Sequence, residues 1–282
     1  MTVSRLLVKG GALVAPFLLI FALLALGGAG ISRFFARLFA GSGHVDRAYG
    51  PYVIFAKKGS GRHDAAARVV QEFVANMVGE YGKRLRIAEP PAKPPIRIHL
   101  LDSHHELEER GLKSLNSDLA NNGGFFLPPK LEIALVLTRH DADDERGLRH
   151  EMMHALMHLS RPDAPFPTWL SEGMASYFEH SRPVEGKWRA GGTSRDRPQL
   201  QNPLPLTQVL GARATDFMGE QNRSFYQSSH LLVAYLVERE PQKFFEFYDA
   251  VFRGGDRATF EKFFDPQRTE EGWHRYVLEP PH

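Results

Sequence analysis

An α+β domain behind a single apolar N-terminal helix is the architecture that these 282 residues specify. Three features of the sequence lead there. Residues 10–32 hold no charged side chain, β-type runs alternate with helical spacing between residues 52 and 160, and beyond about residue 205 the chain reads as helical throughout. With 43% hydrophobic and 24% charged residues, the chain is long enough to bury one sizeable core and does not read as disordered. Zero cysteines exclude disulfides, thiolate nucleophiles and cysteine-held zinc or iron–sulfur centres, so any metal must rely on histidine and carboxylate ligands.

The first segment, residues 1–42, is a membrane anchor or a signal peptide. At about 1.5 Å per residue, a helix over residues 10–32 reaches about 34 Å, enough to cross a hydrocarbon core of about 30 Å. As a signal peptide it offers a basic start (Arg5, Lys9), the apolar run, and Gly27, Gly28 and Ala29 as a cleavage region. Its length favours an uncleaved transmembrane anchor. So does the following "ISRFFARLFA", where Ile31, Phe34, Phe35 and Leu38 share one helical face and Arg33 and Arg37 lie off it, as in an interfacial helix. Both readings place the next domain outside the cytoplasm, tethered in one case and secreted in the other. The segment also holds four basic residues and no acid. Removing them from the chain's 35 leaves 31 basic against 33 acidic residues, which excludes a broad basic footprint for nucleic acid.

Residues 43–282 form the domain proper. After a glycine-containing linker, "YVIFA" (52–56) is a strand, and Ala66, Val70, Phe73, Val74, Met77 and Tyr81 recur at helical spacing over 64–81. "EPPAKPP" breaks that helix, and "IRIHLL" (96–101) is a second strand. Ser103 and Glu106 form a candidate capping box for a short helix reaching Gly111. "NNGGFFLPPKLEIALVL" reads as an edge strand and hairpin ending in a strong strand over 131–137, which gives a mixed sheet. A long helix follows, then a loop at "RPDAPFP", a helix from near Ser171, a Pro- and Gly-rich stretch to about residue 205, and a helical remainder. Trp169, Met174, Tyr177 and Phe178 recur as core positions of the second of these helices, and "FFEFY" (244–248) reads as packing of the C-terminal helices.

The chemistry sits in "RHEMMHALMH", residues 149–158. Residues four apart on a helix lie one above the other, so His150 and His154 can direct ring nitrogens to one zinc ion. Glu151 is turned about 100° from His150, beside the metal's open position rather than on it, where a base for water is required. His158 lies about 12 Å along the axis from His150, too far for the same ion, and is assigned to the helix end. Histidines at this spacing also suit a solvated helix face, and a third ligand is what separates the two readings.

Downstream, "TWLSEGMASYFE" (168–179) resembles the third-ligand segment of the gluzincin metallopeptidases, the HExxH…E zincins, whose second helix sets the ligand glutamate in a W-L-x-E-G-x-A-x-Y context. The resemblance implies a zincin-like (peptidase MA-like) catalytic domain with an HExxH active-site helix and a helical C-terminal part. It makes His150, His154 and Glu172 the ligands of Zn2+ and Glu151 the general base. Small bacterial gluzincin-like domains also carry a "YxxSxxLxxYL" helix, here "YQSSHLLVAYL" (226–236). The metzincin pattern fails, because Met157 and Ser160 stand where it requires Gly and His. The aminopeptidase motif for a substrate amine is missing, so no exopeptidase specificity is implied.

The expected function is therefore an exported or membrane-anchored zinc metallopeptidase that hydrolyses peptide or protein substrates by zinc-activated water. A non-catalytic, membrane-tethered zinc module that binds a protein partner in the same cleft is the alternative. Tyr226 and His230, four apart on one helix, are the candidate hydrogen-bond donors to the developing oxyanion, against a tyrosine merely packed with its hydroxyl on backbone. "NGGFF" (122–126) is either an edge that pairs with an extended substrate or a simple hairpin turn. Glu179 and His180 are either partners of a ligand imidazole or the solvated end of their helix.

Overall fold

A computed structural model describes residues 44–279 apart from 104, 107–122, 139, 165, 186, 190, 192–202, 219–221 and 256–257. The chain divides into two compact units, and residues 46–56 with 61–282 form the larger one. The anchor or signal segment (1–42) lies outside the described residues, as does most of the short helix expected to reach Gly111. Among the described residues no helix is long and apolar enough to cross a membrane.

The domain is α+β with a five-stranded mixed sheet of order β1-β2-β3-β5-β4. Strand β2 (Tyr52–Lys57) runs parallel to β3 (Ile96–Leu101), and β3 parallel to β5 (Glu132–Val136). Strand β4 (Gly124–Leu127) is the antiparallel edge, with Phe126 opposite Ile133. The central runs are nearly continuous apolar stretches because parallel strands are covered on both faces. Strand β1 (His44–Tyr49) was expected to be linker. Its "HVDRAY" lies at the sheet's other edge with no buried residue, so it lacks the apolar alternation by which a strand is recognised.

Helix α1 (Arg62–Asn76) continues through a π-turn at Met77–Tyr81 into the short α2 (Gly82–Leu85), extending the expected helix at both ends. Ala66, Val70, Phe73, Val74 and Met77 are buried as their spacing requires. At Ser103, the hydroxyl accepts from Glu106 N at 3.3 Å, while the Glu106 carboxylate accepts from Asp102 N at 3.1 Å, one residue earlier than a regular capping box.

The long helix α3 (Asp141–Ser160) packs on β4, β5 and α1. Three aspartates in its first turn suit the helix dipole, and Asp144 accepts from Thr138 N at 2.6 Å and pairs with Arg62 at 3.0 Å, fixing where the helix begins. Gly147 costs helix propensity, yet a Cβ there would stand 2.8 Å from the Leu135 side chain, so the glycine lets α3 lie close on β5. Helix α4 (Thr168–Phe178) follows, then a small hairpin, β6 (Arg182–Val184) and β7 (Lys187–Arg189), inside the Pro- and Gly-rich stretch.

The remainder is helical, as expected: α5 (Leu206–Leu210), α6 (Asn222–Arg239), α7 (Pro241–Phe252), α8 (Ala258–Phe263) and α9 (Pro266–Leu278). Trp169, Met174, Tyr177 and Phe178 are all buried, and Trp169 stacks on Phe247 of α7 at 6.1 Å. Each such burial stabilises the domain by about 1.5–3 kcal/mol.

Candidate metal centre

Helix α3 presents two faces. Leu148, Met152, Met153, Ala155 and Leu156 enter the core, while His150, Glu151, His154 and His158 look into a cavity of about 440 Å³. One helical turn therefore brings His150 Nε2 and His154 Nε2 to 3.2 Å.

The third corner comes from α4. The Glu172 carboxylate oxygen lies 3.4 Å from His150 Nε2 and 3.4 Å from His154 Nε2. Three ligands at about 2.0–2.2 Å from a tetrahedral zinc ion stand about 3.3–3.5 Å apart, so this triangle has the size such an ion requires. His150, His154 and Glu172 form a donor set that could hold a metal ion, all of it half-buried. Two imidazoles and a carboxylate, without cysteine, suit zinc at a site that keeps an open position.

The outer nitrogens of both rings are engaged. His150 Nδ1 donates a hydrogen bond to a Glu179 carboxylate oxygen at 2.8 Å, which turns Nε2 toward His154 and Glu172. His154 Nδ1 is 3.2 Å from Ser171 Oγ. Of the two sequence candidates at the end of α4, Glu179 thus meets a ligand-position imidazole, whereas His180 Nδ1 turns back to the Ser176 carbonyl at 3.0 Å. Arg149 braces Glu179 by donating to its backbone carbonyl at 3.1 Å while pairing with Glu145 at 2.6 Å. Ser171 carries no signal of its own in the sequence beyond its place immediately before Glu172.

The charges interlock. Burial drives the Glu172 and Glu179 carboxyls up, but the facing histidines outweigh it and hold both below the ordinary carboxylate range. Burial opposes a proton on His150, and hydrogen bonds to Glu172 and Glu179 reverse that, leaving it well above the ordinary imidazole value. Glu151 differs: burial dominates and raises its carboxyl despite the neighbouring histidines.

Glu151 is 8% exposed and borders two cavities, the first of about 440 Å³ and a second of about 360 Å³. Gly124, His150 and Tyr226 line both as well, so the cleft extends to either side of the triad. A Cβ on Gly124 would come within 2.8 Å of the Ala134 carbonyl and 3.4 Å of the Glu151 side chain, which places the edge strand β4 against the base candidate.

The two donor candidates on α6 part company. Tyr226 lies in the cleft wall, its ring 6.3 Å from His150, and burial with the nearby Glu172 and Glu151 charges keeps its phenol protonated. His230 is buried, with Nδ1 3.0 Å from the Ser176 carbonyl and its ring against His180 at 5.3 Å, and it lines neither cavity. Helix α6 approaches this closely because of Gly173. A Cβ there would stand 2.6 Å from the Ser229 carbonyl oxygen and 2.7 Å from Val233.

Compared with known proteins, the chain matches no family model and no curated protein.

Proposed function

We propose that the domain is a zinc metallopeptidase of gluzincin type with a zincin-like fold, held at the membrane or exported by its N-terminal segment and acting on peptide or protein substrates outside the cytoplasm. One observation carries this reading: a His150–His154–Glu172 triangle of zinc-ligand dimensions with a buried carboxylate, Glu151, beside it on the wall of a cleft.

Zinc held by these side chains supplies Lewis acidity toward a scissile carbonyl and toward water. Glu151 accepts the proton of the attacking water at its carboxylate and returns it to the departing amine. Tyr226, protonated and in the cleft wall, donates a hydrogen bond to the carbonyl oxygen as it becomes negative. Glu179 and Ser171 orient the two imidazoles from outside. His230 supports the α4–α6 packing behind Tyr226 through the Ser176 carbonyl. A substrate passing along the cleft meets β4, which among the described residues is an edge strand and can pair with an extended backbone.

The test is metal content measured together with cleavage of a peptide library by the full chain. Wild-type protein is expected to bind one zinc and to cleave. Glu151→Gln is expected to keep the zinc while kcat falls about 10²- to 10⁴-fold. Loss of zinc in that variant, or undiminished cleavage, removes Glu151 from its role.

A further inference from the structure

The α3 face that carries His150 and His154 does not end with them. Met157, His158 and Arg161 continue along the same line, and all five border the 440 Å³ cavity. The walls beside this extension are apolar, from Phe125 and Phe126 of the edge strand and from Phe166 of the loop before α4. The cavity's carboxylates, Glu151 and Glu172, both lie at the triad. Its other end carries one guanidinium, Arg161, and His158, which burial keeps from charging although Asp163 lies close enough to act on it.

Arg161 stands there over the Phe252 ring at 5.7 Å and, among the described residues, pairs with no carboxylate. Asp249, on the same helix as Phe252, is taken by Arg86 and Arg253 instead. A guanidinium resting on an aromatic face keeps its in-plane N–H donors available for a two-pronged carboxylate contact. Arg161 is the C-cap residue of α3, seven positions after His154 and about 10 Å further along the axis, which is about three residues of extended peptide.

We propose that Arg161 selects substrates by binding a carboxylate carried within about three residues of the scissile bond, with the intervening side chains in the apolar part of the cavity. This rests on the peptidase reading above and names the substrate class that reading leaves open. The carboxylate is an Asp or Glu side chain or the substrate's C-terminus, which present the same group to the guanidinium.

Random-sequence peptides separate these sources in a crossed design, with Asp and Glu either present or replaced by Asn and Gln, and with the C-terminus either free or amidated. The full wild-type chain reports cleavage by mass spectrometry, and the Glu151→Gln chain reports binding by affinity selection from the same peptides. Removing the recognised carboxylate is expected to lower both readouts about 10- to 100-fold. Arg161→Gln should abolish that preference, and Arg161→Lys should retain part of it, with zinc content unchanged in both. The arm in which the preference vanishes identifies side chain or chain end. Equal use of all peptides by wild type overturns the proposal, as does an Arg161→Gln defect of the same size in every arm. Cleavage without a carboxylate preference leaves the peptidase standing and removes the Arg161 site. Arg161-dependent binding without any cleavage does the reverse.

Discussion

The candidate centre is built in two different ways. His150, Glu151 and His154 sit on one helix, and a four-residue spacing puts the two imidazoles, whose ring nitrogens stand 3.2 Å apart, on one face. Glu172, Glu179 and Tyr226 come from α4 and α6, and they reach the same cleft only because those helices pack at Gly173 and because Arg149 ties α3 to the end of α4. The first group shares its face however the helices are arranged, although Glu179 and Ser171 of the α4 segment meet the outer ring nitrogens. The second is as precise as the packing that delivers it, so the domain's chemistry depends on contacts that never touch the cleft.

Three substitutions probe that contrast, in descending order of expected effect on the reaction. Tyr226→Phe removes one hydroxyl from the packed group and should lower kcat about 10²- to 10³-fold with KM and zinc content little changed. A silent variant in steady-state kinetics would confine α6 to packing and leave the α3 histidines and Glu151 with the chemistry. Glu179→Ala frees the outer nitrogen of His150 and should weaken zinc about 10- to 100-fold in a chelator competition titration. An unchanged affinity there would mean that helical spacing by itself orients the imidazole. Gly173→Ala adds a methyl group where only 2.6 Å separates it from the Ser229 carbonyl oxygen, so α4 and α6 must shift. We expect a loss of about 1–3 kcal/mol in denaturant unfolding and a smaller, indirect loss of rate. Full stability and full activity in that variant would show that α4 and α6 do not depend on this close approach.

Much of this was legible before any coordinates. The strands at 52–57, 96–101 and 132–136 announce themselves by apolar runs between breakers, and α3 by its histidine spacing and its acidic first turn. Strand β1 did not, because an exposed edge strand leaves no periodic apolar trace. Glu172 was marked by the residues around it, and its carboxylate stands 3.4 Å from both Nε2 atoms. For Glu179 the sequence left two readings open, since a carboxylate at a helix end looks the same whether it faces water or an imidazole.

What the sequence determined by itself is whatever depends on neighbours along the chain: the α+β order of elements, the helix that aligns His150 with His154, the buried stripe of α4, and the absence of any cysteine ligand. Tertiary structure decided what depends on residues far apart in the chain. It placed Tyr226 in the cleft wall and tied His230 to the Ser176 carbonyl, though they are four apart on one helix and indistinguishable by spacing. It also set Arg161, an ordinary helix-end residue in the sequence, in the lining of the same cavity as the triad. The physical reason is that periodicity fixes which side chains share a face, while only packing against other elements fixes what that face meets.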